Sequence, residues 1–363
     1  MSVQYVKLGD VCAKDSSNIA QKNLKDCFGK YPVYGAGGYI QNVGFYHQED
    51  EYIAIVKDGA GIGRAMILPA KSSVIGTMQY IIPDKNKVDI HYLYYAIINM
   101  ELGKYFSGAT IPRIYFKDYQ KEIFKLPNLK IQKKIADNLK NIDLMIAKKN
   151  KQISLFNELV KSRFIEMFGD PVKNEKNLPL EQLSKIGILE RGKSQHRPRN
   201  APELLGGPYP LIQTGDVSNS NIYITTYSNT YSELGLKQSK LWEPGTLCIT
   251  IAANIAQTAI LTFKACFPDS VVGFIPNNNT NIIFIHYWFE FFQKVLEEQA
   301  PQVAQKNINL KILSELKVIL PSIELQNEFA DFVKQTDKSK LEIQKSLDKL
   351  EILKKSLMQQ YFG

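Results

Sequence analysis

The sequence is poor in the residues that build metal sites and disulfide frameworks. Its 363 residues include only four cysteines (Cys12, Cys27, Cys248 and Cys266) and four histidines. No two cysteines stand in Cys-x-x-Cys spacing and the histidines are scattered, so no metal-ligand pattern is present and the thiols are expected to be reduced and mostly buried. No apolar run is long enough to span a bilayer. The start, MSVQYVKLGD, has neither the charged n-region nor the apolar core of a signal peptide, which predicts a cytoplasmic protein. Several catalytic signatures are also missing. There is no Gly-x-x-x-x-Gly-Lys-Ser/Thr phosphate loop and no Asn/Asp-Pro-Pro-Tyr/Phe motif of an amino-methyltransferase. The glycine-rich stretch Asp58-Gly-Ala-Gly-Ile-Gly63 is followed by Arg64-Ala-Met-Ile-Leu-Pro, which reads as a strand. A phosphate-cradling turn should open a helix, so a tight hairpin with close backbone approach is the expectation here. Neither a catalytic residue set nor a metal site is expected.

What the chain does have is ordinary globular composition, 44% hydrophobic and 22% charged, with a net charge of +9. The size argues for two domains, and the charge favours an anionic partner, nucleic acid first. Two long amphipathic stretches organise the rest. In Leu126–Phe168, apolar residues recur at helical spacing from Ile131 to Phe164, with a polar break at Lys149, and Gly169 followed by Pro171 marks a stop. A helix of about 40 residues is roughly 60 Å long, too long for one small domain to cover. Leu320–Tyr361 repeats the design: its opening LPSIELQ answers LPNLKIQ, and its stripe reads Leu325, Phe329, Phe332, Ile343, Leu347, Leu350, Leu353 and Leu357, weakened at Gln335–Lys340.

The correspondence extends upstream. A shift of about 194 positions lays Ile53–Ala65 on Leu247–Ala259, Thr110–Ile114 on Ala304–Ile308 and His91 on His286, with Ser73-Val-Ile-Gly falling near Ser270-Val-Val-Gly. Strand-like runs dominate each copy: Tyr52–Val56, Ala65–Leu68 and Met78–Ile82, then Tyr209–Ile212, Thr246–Ile251, Ala259–Phe263 and Val271–Ile275. An aromatic helix follows in each, Ile90–Met100 and Ile283–Leu296. The fold expected is α+β: two duplicated domains with curved, mostly antiparallel sheets, joined by two long helices packed as an antiparallel coiled coil that holds the domains at opposite ends.

KSRFIEMFGDP (161–171), RGKSQHRPR (191–199), YPLIQTGDV (209–217), ITIAANIAQTAIL (249–261), FPDSVVGFIP (267–276) and AQKNINLKIL (304–313) resemble the specificity subunit of type I restriction-modification systems, over essentially the whole chain. The resemblance implies target-recognition domains at 1–125 and 171–319, with spacer and docking helices at 126–170 and 320–363. It implies a bipartite double-stranded DNA target and docking of two methyltransferase subunits, and through them restriction subunits. S-adenosylmethionine, ATP and Mg would belong to those partners, with no cofactor in this chain. Because the copies differ, an asymmetric target is expected, its half-sites about one helical turn, roughly 10 bp, apart. The first copy departs from the pattern where Gly-Ala-Gly-Ile-Gly stands opposite Ala-Asn-Ile-Ala-Gln. Two other classes stay open: a self-sufficient restriction or methylation enzyme, and a helical scaffold without a DNA role.

Candidate DNA-reading residues follow from side-chain chemistry. Arg191, Lys193, Gln195, His196, Arg197 and Arg199 share a Gly- and Pro-containing loop, read as flexible, that holds phosphates and base edges or is merely solvated. Gln213, Thr214 and Asp216 form a polar turn, where Asp216 accepts from cytosine or holds an arginine. Asn254 and Gln257 interrupt an apolar stretch and either face DNA, as the resemblance implies, or satisfy buried backbone. Gln302, Gln305, Lys306, Asn307 and Asn309 form a polar tongue, answered in the first copy by Thr110, Arg113, Tyr115 and Lys117. Tyr34, Lys57 and Arg64 complete the set.

Overall fold

The computed structural model describes residues 4–108, 111–252, 255–299 and 308–363. The chain divides into two compact units: one takes the chain to Lys151 together with Gln344–Gly363, the other is Gln152–Ile343. Both long helices are single elements, Leu129–Phe168 and Ile323–Phe362, and each contributes one part to either unit.

In the first unit the strands among the described residues are β1 (Gln4–Lys7), β2 (Cys12–Ser16), β3 (Tyr31–Gly35), β4 (Gly38–Val43), β5 (Tyr52–Val56), β6 (Ala65–Leu68), β7 (Ser73–Val74), β8 (Met78–Pro83) and β9 (Ile123–Leu126). They form a sheet of order β2-β8-β5-β6, a second of order β4-β3-β7, and the pair β1-β9. The second unit has β10 (Leu180–Gln182), β11 (Gly187–Arg191), β12 (Leu205–Leu211), β13 (Tyr223–Ile224), β14 (Asn229–Tyr231), β15 (Leu241–Trp242), β16 (Leu247–Thr250), β17 (Thr258–Leu261), β18 (Ala265–Cys266), β19 (Val271–Pro276) and β20 (Lys317–Ile319). Their orders are β11-β19-β16-β17-β13, β14-β12-β18-β15 and β10-β20. Among the described residues the plan is the same in both, with one strand added to each of the two larger sheets in the second. Pairing is antiparallel except for β3–β7, β12–β18 and β13–β17. This is the α+β architecture expected, twice over.

The central strands were legible because they are buried on both faces: every residue of β5, β16 and β17 is buried. The registers, however, correct two correspondences. β8 and β19 superpose end to end, so Ser270 answers Thr77 rather than Ser73: Lys57 N–H donates to Thr77 O and Ile251 N–H to Ser270 O, both at 3.0 Å. Likewise His91 and His286 are not equivalent. The aromatic helices Ile90–Asn99 and Ile282–Gln299 are capped by Asp89 and by Asn281, which places His91 at the second helical position and His286 at the fifth.

Each Leu-Pro motif ends in a fully buried glutamine that does the same work twice. Gln132 Oε1 accepts from Asp89 N–H at 2.8 Å, while its Nε2 donates to Lys87 O at 3.1 Å and Pro127 O at 2.7 Å. Gln326 Oε1 accepts from Asn281 N–H at 2.8 Å, and Nε2 donates to Asn279 O at 3.2 Å and Pro321 O at 2.8 Å. The first turn of a long helix is thereby tied to the N-terminus of the aromatic helix in both units.

Within each unit the two helix parts run in opposite directions. In the first, Ile135, Ala136 and Leu139 share a core with Met358, Phe362 and the aromatic helix residues Tyr92 and Leu93. In the second, Phe164 and Phe168 pack against Phe284 and Phe329 with ring centroids 4.9–5.7 Å apart. Aromatic pairs of this kind contribute about 0.5–1.5 kcal/mol each beyond their buried area. Gly169 closes the central helix at φ +74°, its N–H donating to Ile165 O at 2.8 Å. Two expected stripe members, Leu325 and Leu353, are exposed. Buried Gln326 takes the inward place beside Leu325, and Lys354, paired with Asp143 at 2.6 Å, takes the one beside Leu353. The polar zone at Gln335–Lys340 does not break the helix: Thr336 Oγ1 donates to Phe332 O at 2.9 Å and Lys340 Nζ to Asn157 Oδ1 at 3.2 Å.

Replacing Gln132 or Gln326 by Ala strands two carbonyls and one amide in an apolar setting. Each change should lower unfolding free energy by about 2–4 kcal/mol. Gln→Leu, which restores volume but not bonding, should recover less than half of that loss. Denaturant unfolding of the three proteins checks it; full recovery by Leu would show that the site is filled by shape alone.

Candidate nucleic-acid interface

Both units carry a concavity at the same place in the common plan. It lies where the first strand of the main sheet ends, the loop after the central strand begins, and the segment after the aromatic helix returns. One hydrogen bond fixes the return in both: Ile114 N–H donates to Lys57 O at 2.9 Å, and Ile308 N–H donates to Ile251 O at 3.1 Å. The cavities have volumes of 360 Å³ in the first unit and 270 Å³ in the second. Their linings differ. The first holds Lys14, Lys57, Arg113, Tyr115 and Lys117 around Asp58; the second holds Arg191, Arg199, Ser270 and Asn309.

In the first unit the glycine-rich stretch is a hairpin turn between β5 and β6, as its sequence predicts. Gly63 has φ +82°, and a Cβ there would stand 2.5 Å from the Gly103 amide nitrogen. Gly59 N–H donates to Pro112 O at 2.9 Å, which holds the turn against the segment carrying Arg113. The structure thus gathers the expected Lys57, Arg113, Tyr115 and Lys117 in one place. Arg64 and Tyr34 are elsewhere. The Arg64 guanidinium donates to Ala36 O at 3.2 Å and to Gly61 O at 3.4 Å. Tyr34 is half-buried against Tyr39, and burial pushes its phenol up. Four polar lining residues escaped the sequence reading: Lys14, Ser16, Asp58 and Gln79. Lys14 and Ser16 stand two apart on β2, an alternation that places them on one face of the strand.

In the second unit the arginine-rich loop is pinned rather than flexible. Arg191 Nε donates to Asp269 O, Arg199 pairs with the Asp269 carboxylate, and Arg197 reaches the same carboxylate at 3.5 Å. The Gln195 and His196 amides both donate to Gln238 Oε1, at 2.7 and 3.0 Å, and Ser239 Oγ donates to Lys193 O at 2.9 Å. The side chains of Lys193, Gln195 and His196 remain exposed. Gln213 and Thr214 line a smaller cavity of 160 Å³ with Arg199 and Ser270, continuous in residues with the concavity.

Three expectations are corrected or limited. Asp216 serves its own turn rather than an arginine: Oδ2 accepts from Gln213 N–H at 2.8 Å and Oδ1 from Ser228 Oγ at 2.5 Å, so it fixes the turn on which Gln213 and Thr214 stand. Gln257 is not at the concavity. It lines a separate polar cavity of 170 Å³ with Thr258, His286 and Glu290, because it precedes β17 on the side covered by the aromatic helix. Asn309 lines the concavity, but its Oδ1 caps the helix Leu310–Glu315, accepting from Ile312 N–H at 2.9 Å. Thr110, Asn254, Gln302, Gln305, Lys306 and Asn307 lie outside the described residues.

His286 is structural. It is buried, its Nδ1 lies 2.9 Å from Thr258 Oγ1, and burial, with Lys161 adding to it, lowers its pKa to about 4. A neutral histidine in the folded state and a normal one in the unfolded state make stability rise with pH between those values. Unfolding free energy should therefore fall as pH drops from 6.5 towards 4, by at most about 3 kcal/mol. His286→Gln should flatten that slope, as read from denaturant unfolding across the pH range; an unchanged slope would place the titrating group elsewhere.

The family model for the type I restriction modification DNA specificity domain matches residues 2–155 and again 176–353, one copy for each repeat. Two relatives from Methanocaldococcus jannaschii are named as the specificity subunits of type I restriction enzymes. The chain is 26% identical over 298 residues to the putative MjaX subunit, spanning 76% of this chain and 68% of the relative. It is 25% identical over 338 residues to the MjaVIII subunit, spanning 84% and 77%. Among solved structures, the S subunit of the M. genitalium type I restriction-modification system has the same fold at 17% identity, with a TM-score of 0.64 over 100% of this chain and 96% of the other. A chain from a structural study of type I complex assembly and conformational transition has a TM-score of 0.59 at 14% identity, over 99% and 97%. This chain belongs to the type I restriction-modification DNA specificity family.

Proposed function

We propose that this chain is the DNA-recognition subunit of a type I restriction-modification complex, reading a bipartite, asymmetric duplex target and directing partner enzymes to it. The observation that carries this is the pair of cationic concavities at equivalent positions of a duplicated fold, lined by different residues. Equivalent placement suits two contacts with one kind of ligand, and different linings suit two different half-sites. Residues 1–125 and 171–319 act as target-recognition domains. In the first, Lys57, Arg113, Tyr115 and Lys117 meet DNA; in the second, Arg191, Lys193, Gln195, His196, Arg197, Arg199, Gln213 and Thr214 do, with Asn309 and the polar tongue before it.

The long helices, 126–170 and 320–363, dock two methyltransferase subunits and, through them, restriction subunits. Leu144, Met145, Leu155 and Leu159 of the central helix are 47–52% exposed, and Leu341, Ile352 and Leu353 of the terminal helix 46–69%. Exposed apolar side chains on polar helices suit a protein partner. The chain itself carries out no reaction; S-adenosylmethionine, ATP and Mg act on the partners. No helix of the described residues is long and apolar enough to cross a membrane, and a cytoplasmic location fits the reading.

Co-expression with the neighbouring methyltransferase subunit, followed by base-resolved methylation mapping, tests the reading. Modified adenines in one split, asymmetric motif are expected, and exchange of residues 172–313 should rewrite only one half. A continuous or strictly palindromic motif would overturn it. A second test concerns binding to the DNA backbone. Lys148, Lys149 and Lys151 stand on the central helix, Lys148 and Lys151 exposed. Their conversion to Gln should weaken binding evenly across sequences and reduce the slope of log affinity against log salt by about 0.9 for each phosphate no longer neutralised; an unchanged slope would remove that helix from the DNA interface.

A further inference from the structure

Each concavity presents an arginine that is gripped from below by an aspartate. In the first unit Arg113 Nε lies 2.5 Å from Asp58 Oδ1. In the second Arg199 pairs with Asp269 Oδ1, while Arg197 reaches Oδ2 of the same carboxylate at 3.5 Å. The exposures are lopsided in both. The aspartate side chains are 16% and 25% exposed, the arginines 49% and 44%. The carboxylate is therefore the recessed member, poorly placed to meet a ligand, and the guanidinium is the presented one. Ion pairs this open to solvent add little to folding, so stability is a weak reason for either pair.

The surrounding backbone is fixed before the side chains are considered. Arg113 exchanges backbone hydrogen bonds with Ser107, at 2.8 and 2.9 Å, and Pro112 O accepts from Gly59 N–H at 2.9 Å. In the second unit Gly192 N–H donates to Val271 O at 2.9 Å, and Ala201 N–H to Pro198 O at 3.2 Å. What the aspartate adds in each is the direction of the fork.

The two pairs are not inherited copies of one device. By the hydrogen-bond register that aligns Lys57 with Ile251 and Thr77 with Ser270, the position answering Asp58 is Ala252, and the one answering Asp269 is Gly76. The same arrangement has been built at two non-equivalent sites of the plan, yet it opens on the equivalent concavity. A scaffold requirement would have kept one position; a shared ligand requirement accounts for two.

We infer that Asp58 and Asp269 are positioning residues, each aiming one arginine fork, Arg113 and Arg199, at a guanine edge in one half of the target. Guanine presents O6 and N7 as paired acceptors in the major groove, and a planar fork held at a fixed angle meets both. An unrestrained arginine would settle on phosphate as readily. The inference rests on the recognition role proposed above and names the determinant within it.

The test uses the full chain assembled with its methyltransferase subunit on a pool of duplexes randomised across the target. Asp58→Asn should leave methylation in place but reduce the preference for guanine at one position of the half-site read by the first unit, by roughly tenfold. The other half should be unchanged, and Asp269→Asn should give the mirror result. Arg113→Ala should lose the same position, and Asp58→Asn should add nothing to it. Arg113→Lys keeps the charge and the aspartate but removes the fork. It should lose the same position even if Asp58→Asn proves unstable. An even fall in methylation with every letter of the motif retained, or a loss confined to an A·T position, would overturn the inference. A wild-type complex that yields no split motif would overturn the recognition role as well, whereas a wild-type motif left intact by all the variants would overturn this inference alone.

Discussion

The buried glutamine at the end of each Leu-Pro motif is the contact on which the rest depends. A carboxamide is one of the few side chains that offers an acceptor and two donors in a plane. Gln132 uses them on Asp89 N–H, Lys87 O and Pro127 O, and Gln326 on Asn281 N–H, Asn279 O and Pro321 O. A glutamate would set negative charge beside two carbonyl oxygens, and an apolar residue would leave all three backbone groups without partners. The consequence is mechanical. The start of a long helix and the start of the aromatic helix move as one piece, so whatever docks on the long helix bears directly on the sheet that frames the concavity.

That rigidity allows the surface to diverge. The two concavities share a frame made of main chain: Ile114 N–H to Lys57 O, Ile308 N–H to Ile251 O, and the equivalent bonds to Thr77 O and Ser270 O. None of these bonds depends on side-chain identity. Lys57 can face Ile251, and Asp58 can face Ala252, without altering the path of either strand. A scaffold specified by buried strands and backbone pairing leaves its rim free to vary, which is what two copies of one fold need if each is to read a different half-site.

The same division explains what could be read in the sequence. β5, β16 and β17 were visible because fully buried strands are continuous apolar runs. β2 and β11 were missed because they lie at the sheet edge: β2 is exposed after Cys12, and β11 has no fully buried residue. Missing them hid Lys14 and Ser16, which line the first concavity from β2. The cation loop was found from composition, but that it is pinned to Asp269 is a tertiary fact that nothing within 191–199 encodes. Asp216 and Gln257 show the opposite error. Both have the chemistry to read a base; the first serves the turn it stands on, and the second faces the aromatic helix. The apparent match of His91 with His286 came from two aromatic-rich helices, where short coincidences are easily found and only the cap positions fix the register.

The long helices carry more apolar side chains than one antiparallel seam can cover. Ile135, Leu139 and Ile142, then Val160, Phe164 and Phe168, account for the buried stripe of the central helix. Leu144, Met145, Leu155 and Leu159 fall on other faces and stay exposed, although a two-helix seam needs none of them. On a helix otherwise rich in lysine, solubility alone would favour polar residues there. They form a second apolar surface on the face away from the buried stripe, which supports the docking role proposed for the helix: one face packs within this chain, the other is left to be covered.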